Sequence, residues 1–403
     1  MLKSVETPEK VGFSASRLAR IDKVMQGYVE EGKLAGMIAL VARHGQVAYC
    51  KNFGWMDVEA AEPMAMNAIF RIFSMSKPIT SVALMMLYEQ GKFQLNDPVA
   101  KYIPAFANLK VFKKQKDKGM KVEDLDCPIT IWNLLTHTSG LSYGFDDHPV
   151  DALYREQKML RLDETLEDKI ARLVELPLRH QPNTIWHYSM ATDVLGYIMQ
   201  LVSGMDFATY LQEKVFAPLG MTDTAFYVPA DKLDRLAAVY TSDKQAGLIR
   251  LGTEATKQEL GDDYINKDRE PEFPSGGGGL VSTTTDYFHF AEMLRRRGEY
   301  NGVRLLGSRT VDYMATNQLP ASIPMPDNPG MRFGLGFGVI TDTAQTHILN
   351  SPGSYGWGGA ANTHYWVDPH EDLVAILMLQ CLPGGIYPVN EQFRILTYQA
   401  LVE

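Results

Sequence analysis

The sequence holds only three cysteines, Cys50, Cys127 and Cys381, far apart and with no CxxC pair. An odd, scattered set excludes a disulfide framework and gives no zinc-site spacing, so reduced, buried thiols are expected. No uninterrupted run reaches about 18 apolar residues, so no membrane-spanning helix is predicted and no membrane partner is expected. The stretch Met1–Asp22 has no apolar core of signal-peptide length, which makes a cytoplasmic protein the expectation. Positive charge is scarce: 39 Lys and Arg stand against 48 Asp and Glu, a formal net charge of −9. That balance does not favour phosphate backbones, and nucleic acid is not an expected partner. The one basic stretch, Lys110 to Lys121, has little aromatic interleaving and reads as a solvated surface loop.

Several site signatures are missing too. The nine histidines show neither HExxH nor HxxxH spacing, so no metal site is expected. No GxSxG occurs, which removes the nucleophile elbow of the α/β-hydrolases. The glycines at 276–279 lack a following Lys-Ser/Thr, so no phosphate loop and no nucleotide cofactor are expected. His137 and His187 could serve a Ser-His-Asp triad, but no serine offers the matching context.

What is present is ordinary globular composition, 45% hydrophobic and 22% charged, in 403 residues, enough to bury a core without staples. Ser14–Glu31 reads as an amphipathic helix, with Ser14 or Ser16 as its cap. Met37–Ala42 and Gln46–Phe53 read as strands joined through His44-Gly45, a hairpin signal. Met75–Gln90 is apolar nearly all round, as a helix in the middle of a fold is, with Pro78 in its first turn and Gly91 at its end. From Leu95 to Phe273 the reading is mostly helix and loop, with helices at Thr130–Leu135, Thr165–Val174, Thr192–Ser203 and Phe207–Val215. The charged stretch Lys257–Pro274, followed by Ser275 and four glycines, is expected to carry a mobile loop. A helix capped within Ser282–Asp286 runs to Arg296. Strands return at Phe333–Thr341, His364–Val367 and Leu373–Leu379, and Asn390–Leu401 forms a last helix. The order predicts an α+β protein: a central antiparallel sheet built from both ends of the chain, flanked by helices, with a mainly helical domain inserted. Residues 1–94 and 280–403 are assigned to the sheet domain and 95–279 to the helical one, with the site between them.

Three short motifs carry chemistry. In Ser74-Met75-Ser76-Lys77, positions i and i+3 share a helix face, so the amine can approach the hydroxyl. First-turn N–H groups lack helical partners, so the Ser74 N–H can hold an oxyanion, helped by the helix dipole. Burial and neighbouring positive charge are what turn a lysine into a base. An SxxK spacing alone arises by chance about once in a chain of this length. Tyr188-Ser189-Met190 follows a Pro182-Asn183 turn and precedes a helix; its phenol could act as an acid or base, or could be a satisfied core tyrosine. In Tyr355-Gly356-Trp357-Gly358-Gly359-Ala360, the glycines let a backbone approach another group closely, and the Ala360 N–H could complete an oxyanion hole. The alternative there is a tight β-turn.

In this order the three motifs resemble the serine β-lactamase and penicillin-binding-protein superfamily. Within it the chain is similar to the family VIII carboxylesterases, relatives of class C β-lactamases. Leu134–Leu141 (LLTHTSGL), Phe216–Thr224 (FAPLGMTDT) and Gly276–Tyr287 (GGGGLVSTTTDY) extend the resemblance over nearly the whole chain. The resemblance implies Ser74 as nucleophile, Lys77 and Tyr188 as the proton-handling pair, and Ser74 and Ala360 as the oxyanion donors. Two departures bear on substrate. Met190 stands where related β-lactamases carry Asn, and Trp357-Gly358-Gly359 where they carry Lys-Thr-Gly. The missing amine and amide weaken recognition of β-lactams and D-Ala-D-Ala peptides. Trp357, Gly358 and Gly359, with Tyr143, Phe145 and Trp186, then suggest an apolar substrate pocket. A third departure is Asn183, where the family often has Gly; Asn tolerates left-handed geometry, so the turn should survive. The expected activity is hydrolysis of a small carboxylic ester through an acyl-Ser74 intermediate. The alternatives are a β-lactamase or D-amino-acid peptidase, an acyltransferase, and a non-catalytic ligand sensor.

Overall fold

Strands from the two ends of the chain meet in one sheet. The computed structural model describes residues 4–116, 119–243, 247–253, 262–325 and 329–403. The sheet strands are β1 (Gly36–Arg43), β2 (Gln46–Asp57), β3 (Glu62–Pro63), β4 (Met331–Phe333), β5 (Gly338–Ile340), β6 (Tyr355–Gly358), β7 (His364–Asp368) and β8 (Leu373–Leu379). They lie in the order β4-β5-β6-β7-β8-β1-β2-β3, every neighbouring pair antiparallel. The centre of the sheet is β1 against β8, and every residue of both is buried. A strand covered on both faces reads as a continuous apolar run, which is how both appear in the sequence.

Alternate residues of β1 serve two cores. Met37, Ala39 and Val41 pack with Ile21 and Met25 of α1 (Ala15–Glu30) and Phe393 of the C-terminal helix Val389–Tyr398. Ile38, Leu40 and Ala42 face the larger core, which holds the helices Ser76–Glu89 and Thr284–Arg295. The sequence-level helix starts are real caps: Ser14 accepts from the Arg17 N–H, and Thr283 from the Asp286 N–H. His44 and Gly45 both have positive φ, +54° and +73°, the geometry of a primed hairpin turn.

Four expectations need correction. Lys110–Lys121 is not a loop. Strands Lys110–Lys116 and Gly119–Asp124 pair as a hairpin, on which Lys110 meets Asp124 and Lys113 meets Glu123. A second hairpin, Tyr240–Asp243 with Gly247–Arg250, also interrupts the region read as helix and loop. Phe333–Thr341 is not one strand: the chain turns between β4 and β5, where Gly336 has φ +99° and a Cβ on Gly334 would lie 2.1 Å from the Met314 carbonyl oxygen. Of the expected mobile loop Lys257–Pro274, residues 257–261 lie outside the described residues. Asp262–Ile265 is helical, Tyr264 and Ile265 are buried, and the Arg71 guanidinium bonds to the Ile265 carbonyl. No helix among the described residues is long and apolar enough to cross a membrane.

Candidate active site

Ser74 sits in a single 3₁₀ turn, Phe73–Met75, that runs into helix α2 (Ser76–Glu89). Phe73 has φ +44°, a conformation that costs a bulky residue energy and persists only where the surroundings fix it. Here they do. The Ile72 N–H bonds to the Leu280 carbonyl, the Tyr287 hydroxyl to the Met75 carbonyl, and the Phe73 ring stacks on Tyr264. The turn aims the Ser74 hydroxyl into a cleft. One helical turn on, Lys77 is 1% exposed, and its Nζ donates to Ser74 Oγ at 3.3 Å and to the Gly277 carbonyl at 2.6 Å. The same nitrogen lies 4.4 Å from the Tyr188 ring centre and 5.0 Å from that of Tyr143, so two aromatic faces hold a group that water does not reach.

Tyr188 lies in a stretch that is neither helix nor strand, three residues before helix α3 (Ala191–Ser203). Its ring contacts those of His137, Tyr143, Trp186 and Trp357. The Trp357 indole N–H donates to its hydroxyl oxygen at 3.4 Å. Burial holds the His137 imidazole well below the ordinary histidine range, Lys77 pushes the same way, and its Nδ1 lies 3.2 Å from Ser189 Oγ. Asn183 has φ +65°, so the turn survives as its chemistry suggested, and its side-chain oxygen accepts from Asn133 at 2.6 Å.

β6 brings Trp357 and Gly358 to the cleft, and Ala360 follows directly. Among the described residues the Ala360 N–H has no acceptor, which leaves it free for a ligand. Gly359 explains why the chain can pass so close to Ser74. A Cβ there would lie 2.2 Å from Thr363 Oγ1 and 2.4 Å from the Ile72 carbonyl oxygen.

The cleft encloses about 630 Å³. Ser74, Tyr143, Phe145, Tyr188, Trp357, Gly358 and Ala360 line it. Two expected substrate-binding residues do not. Gly359 is half-buried with its Cα against Thr363 and Ile72, and Trp186 lies behind Tyr188 against Phe333, facing a smaller hollow of about 160 Å³. Met190 is also absent from the wall: it is buried in the main core, so the two sequence departures act differently, one at the cleft and one beneath it. Sequence reasoning missed Leu160 and Tyr264, the wall Met331, Ile340, Ile348 and Asn350, and the charged end at Glu391 and Arg394.

It missed Asp193 as well. In the first turn of α3, the buried Asp193 accepts from Ser275 Oγ at 2.7 Å and the Gly277 N–H at 2.9 Å. Burial raises its carboxyl above the ordinary range, while those two bonds and the charges of Lys77 and Lys169 pull it down. Burial and Asp193 together push the Tyr143 phenol well above its ordinary range, so it stays neutral.

Two other constellations resolve into structure. Asp146, Asp151 and His187 converge, but the Arg179 guanidinium already fills that space, pairing with both carboxylates and lying 3.3 Å from His187 Nε2. Ser142 Oγ is near both His187 and Asp151, yet Ser142 is fully buried and donates to the Asp151 carboxylate, so no triad nucleophile exists there.

A serine hydroxyl beside a buried amine, a phenol above it and unsatisfied N–H groups nearby can activate an oxygen nucleophile and hold an oxyanion. The Beta-lactamase family pattern spans residues 21–399. Protein Rv1367c of Mycobacterium tuberculosis is 34% identical over 364 residues, 88% of each chain. Esterase EstB of Burkholderia gladioli is 30% identical over 383 residues, 93% of each chain. The solved structure of EstCE1, described as a hydrolase with promiscuous acyltransferase activity, superposes with a TM-score of 0.81 at 28% identity, covering 95% of this chain and 99% of that one. The chain belongs to the Beta-lactamase family and is a β-lactamase-like serine hydrolase.

Proposed function

We propose that this protein is a carboxylesterase acting on short-chain esters through an acyl-Ser74 intermediate. The observation that carries the reading is the Lys77 amine, buried and 3.3 Å from Ser74 Oγ, at the foot of an aromatic-walled cleft. Ser74 adds to the ester carbonyl while its proton passes to the Lys77–Tyr188 pair. The N–H groups of Ser74 and Ala360 hold the oxyanion. The proton then goes to the leaving alkoxide as the C–O bond breaks, and water hydrolyses the acyl-enzyme by the same route. Trp357 at the cleft, in place of a lysine, supports an uncharged ester over a lactam carboxylate.

The test is turnover of p-nitrophenyl acetate and butyrate. Ser74→Ala should lose on the order of 10³-fold or more in kcat, and Lys77→Ala and Tyr188→Phe should each be severely impaired. A Ser74→Ala variant that keeps most of its activity overturns the assignment.

A second reading is acyl transfer to an alcohol, favoured by the likeness to EstCE1. Added alcohol competes with water for the acyl-enzyme, so ester product rising at the expense of acid supports it.

A further inference from the structure

We propose that Asp193 is a positioning residue for the reaction, acting through Gly277 on Lys77. The inference rests on the reading of Lys77 as a proton-handling group.

Among the described residues the Lys77 amine donates to Ser74 Oγ and to the Gly277 carbonyl, and the second is the shorter contact, 2.6 Å against 3.3 Å. Where the amine points therefore depends on where residue 277 lies. That residue belongs to no helix or strand. Its N–H is held by the Asp193 carboxylate, and the same oxygen takes the Ser275 hydroxyl, which in turn accepts from the Tyr264 hydroxyl at 3.2 Å. The Thr80 hydroxyl, one turn beyond Lys77 on α2, bonds to the Gly276 carbonyl at 2.9 Å. The four-glycine run is thus a strap clamped between α2 and α3, with the Asp193 carboxylate as the anchor on the α3 side.

Space explains the glycine at 277. A Cβ would lie 2.5 Å from the Tyr143 hydroxyl and 2.9 Å from Asp193 Oδ2. The strap passes between the two groups, and a side chain at 277 would have to displace both. The carboxylate itself is costly to bury, and a structural pin alone would be served as well by apolar packing. What apolar packing cannot supply is a fixed acceptor for the N–H of the residue whose carbonyl orients the amine.

The test compares Asp193→Ala, Asp193→Asn and Ser275→Ala on p-nitrophenyl butyrate, with active sites counted by a fluorophosphonate label on Ser74. A misplaced reacting group costs up to about 10²-fold, so Asp193→Ala should lose about that in kcat with KM within about threefold. Asp193→Asn keeps an acceptor oxygen and should recover most of the loss, to about fivefold below wild type. Ser275→Ala removes one of the two donors and should fall about threefold. A merely structural role would lower the melting temperature and the labelled fraction while leaving kcat per labelled site unchanged, and that result overturns the proposal. If Asp193→Ala does not fold, wild-type kcat in both Asp193→Asn and Ser275→Ala overturns it equally. Ser74→Ala is the control: if it stays active, the site reading fails, and if it is dead while Asp193→Ala is normal, only this inference fails.

Discussion

The indole N–H of Trp357 donates to the hydroxyl oxygen of Tyr188 across 3.4 Å, and the two rings lie 5.8 Å apart. The residue that stands in place of a lysine thus gives its polar atom to the tyrosine and its apolar face to the cleft. Trp357→Phe keeps the face and removes the donor. A neutral hydrogen bond contributes about 1 kcal/mol, so kcat on p-nitrophenyl butyrate should fall about fivefold with KM little changed. A rise in KM at constant kcat would assign Trp357 to substrate binding alone.

The legible part of this site was the part written locally. Ser74 and Lys77 share a face because a helix puts i and i+3 together, and the apolar run after them announced a buried helix. β1 and β8 were legible as apolar runs because both faces of each are covered. Asp193 was not legible, since an acidic residue in the first turn of a helix ordinarily favours the helix dipole. Here its side chain instead reaches Ser275 and Gly277, more than 80 positions along the chain. The four glycines suggested a loop for the same reason: the strap they form is fixed by Thr80, Lys77 and Asp193, none of them a sequence neighbour. Trp186 and Trp357 are alike in sequence terms, and only the packing of Trp186 against Phe333 shows that it stands behind Tyr188.

Gly359 tests the close approach of β6 to the nucleophile turn. An added Cβ would meet the Ile72 carbonyl oxygen at 2.4 Å, and backbone cannot swing aside as a side-chain end can. Gly359→Ala should push Ala360 away from Ser74 and cost about 10²-fold in kcat, since a displacement near 1 Å is enough for that. Activity within threefold of wild type would mean that the Ala360 N–H is not used.

Restoring the lysine should move substrate preference. Trp357→Lys places an ammonium on the cleft wall and removes the donor to Tyr188. Ester turnover should fall and nitrocefin turnover rise, so that their ratio shifts by about tenfold or more, the scale of one added charged contact. Parallel assays of nitrocefin and p-nitrophenyl butyrate give the ratio, and an unchanged one would remove Trp357 from substrate selection.

Asp286 should leave a mark on stability rather than on rate. It lies in the first turn of helix Thr284–Arg295, and its carboxylate accepts from the Asp223 N–H at 2.7 Å and the Thr224 hydroxyl at 2.9 Å. Burial pushes its carboxyl up to about 6, Asp223 adds to the effect, and the two hydrogen bonds oppose it. The folded chain therefore holds this proton more tightly than the unfolded one, whose carboxyl has the ordinary value of 3.8. Between about pH 4 and about pH 6 the folded state binds more protons, and stability must fall as the pH rises through that window. The displacement corresponds to about 3 kcal/mol at most, present as extra stability below the window and absent above it. Asp286→Asn keeps an acceptor for both donors and cannot ionise. Urea unfolding at half-unit steps from pH 4 to pH 7 should show the wild type losing stability relative to Asp286→Asn as the pH rises, with the curves separating by up to about 3 kcal/mol. Parallel curves across that range would mean that Asp286 ionises in the folded protein as it does in the unfolded chain.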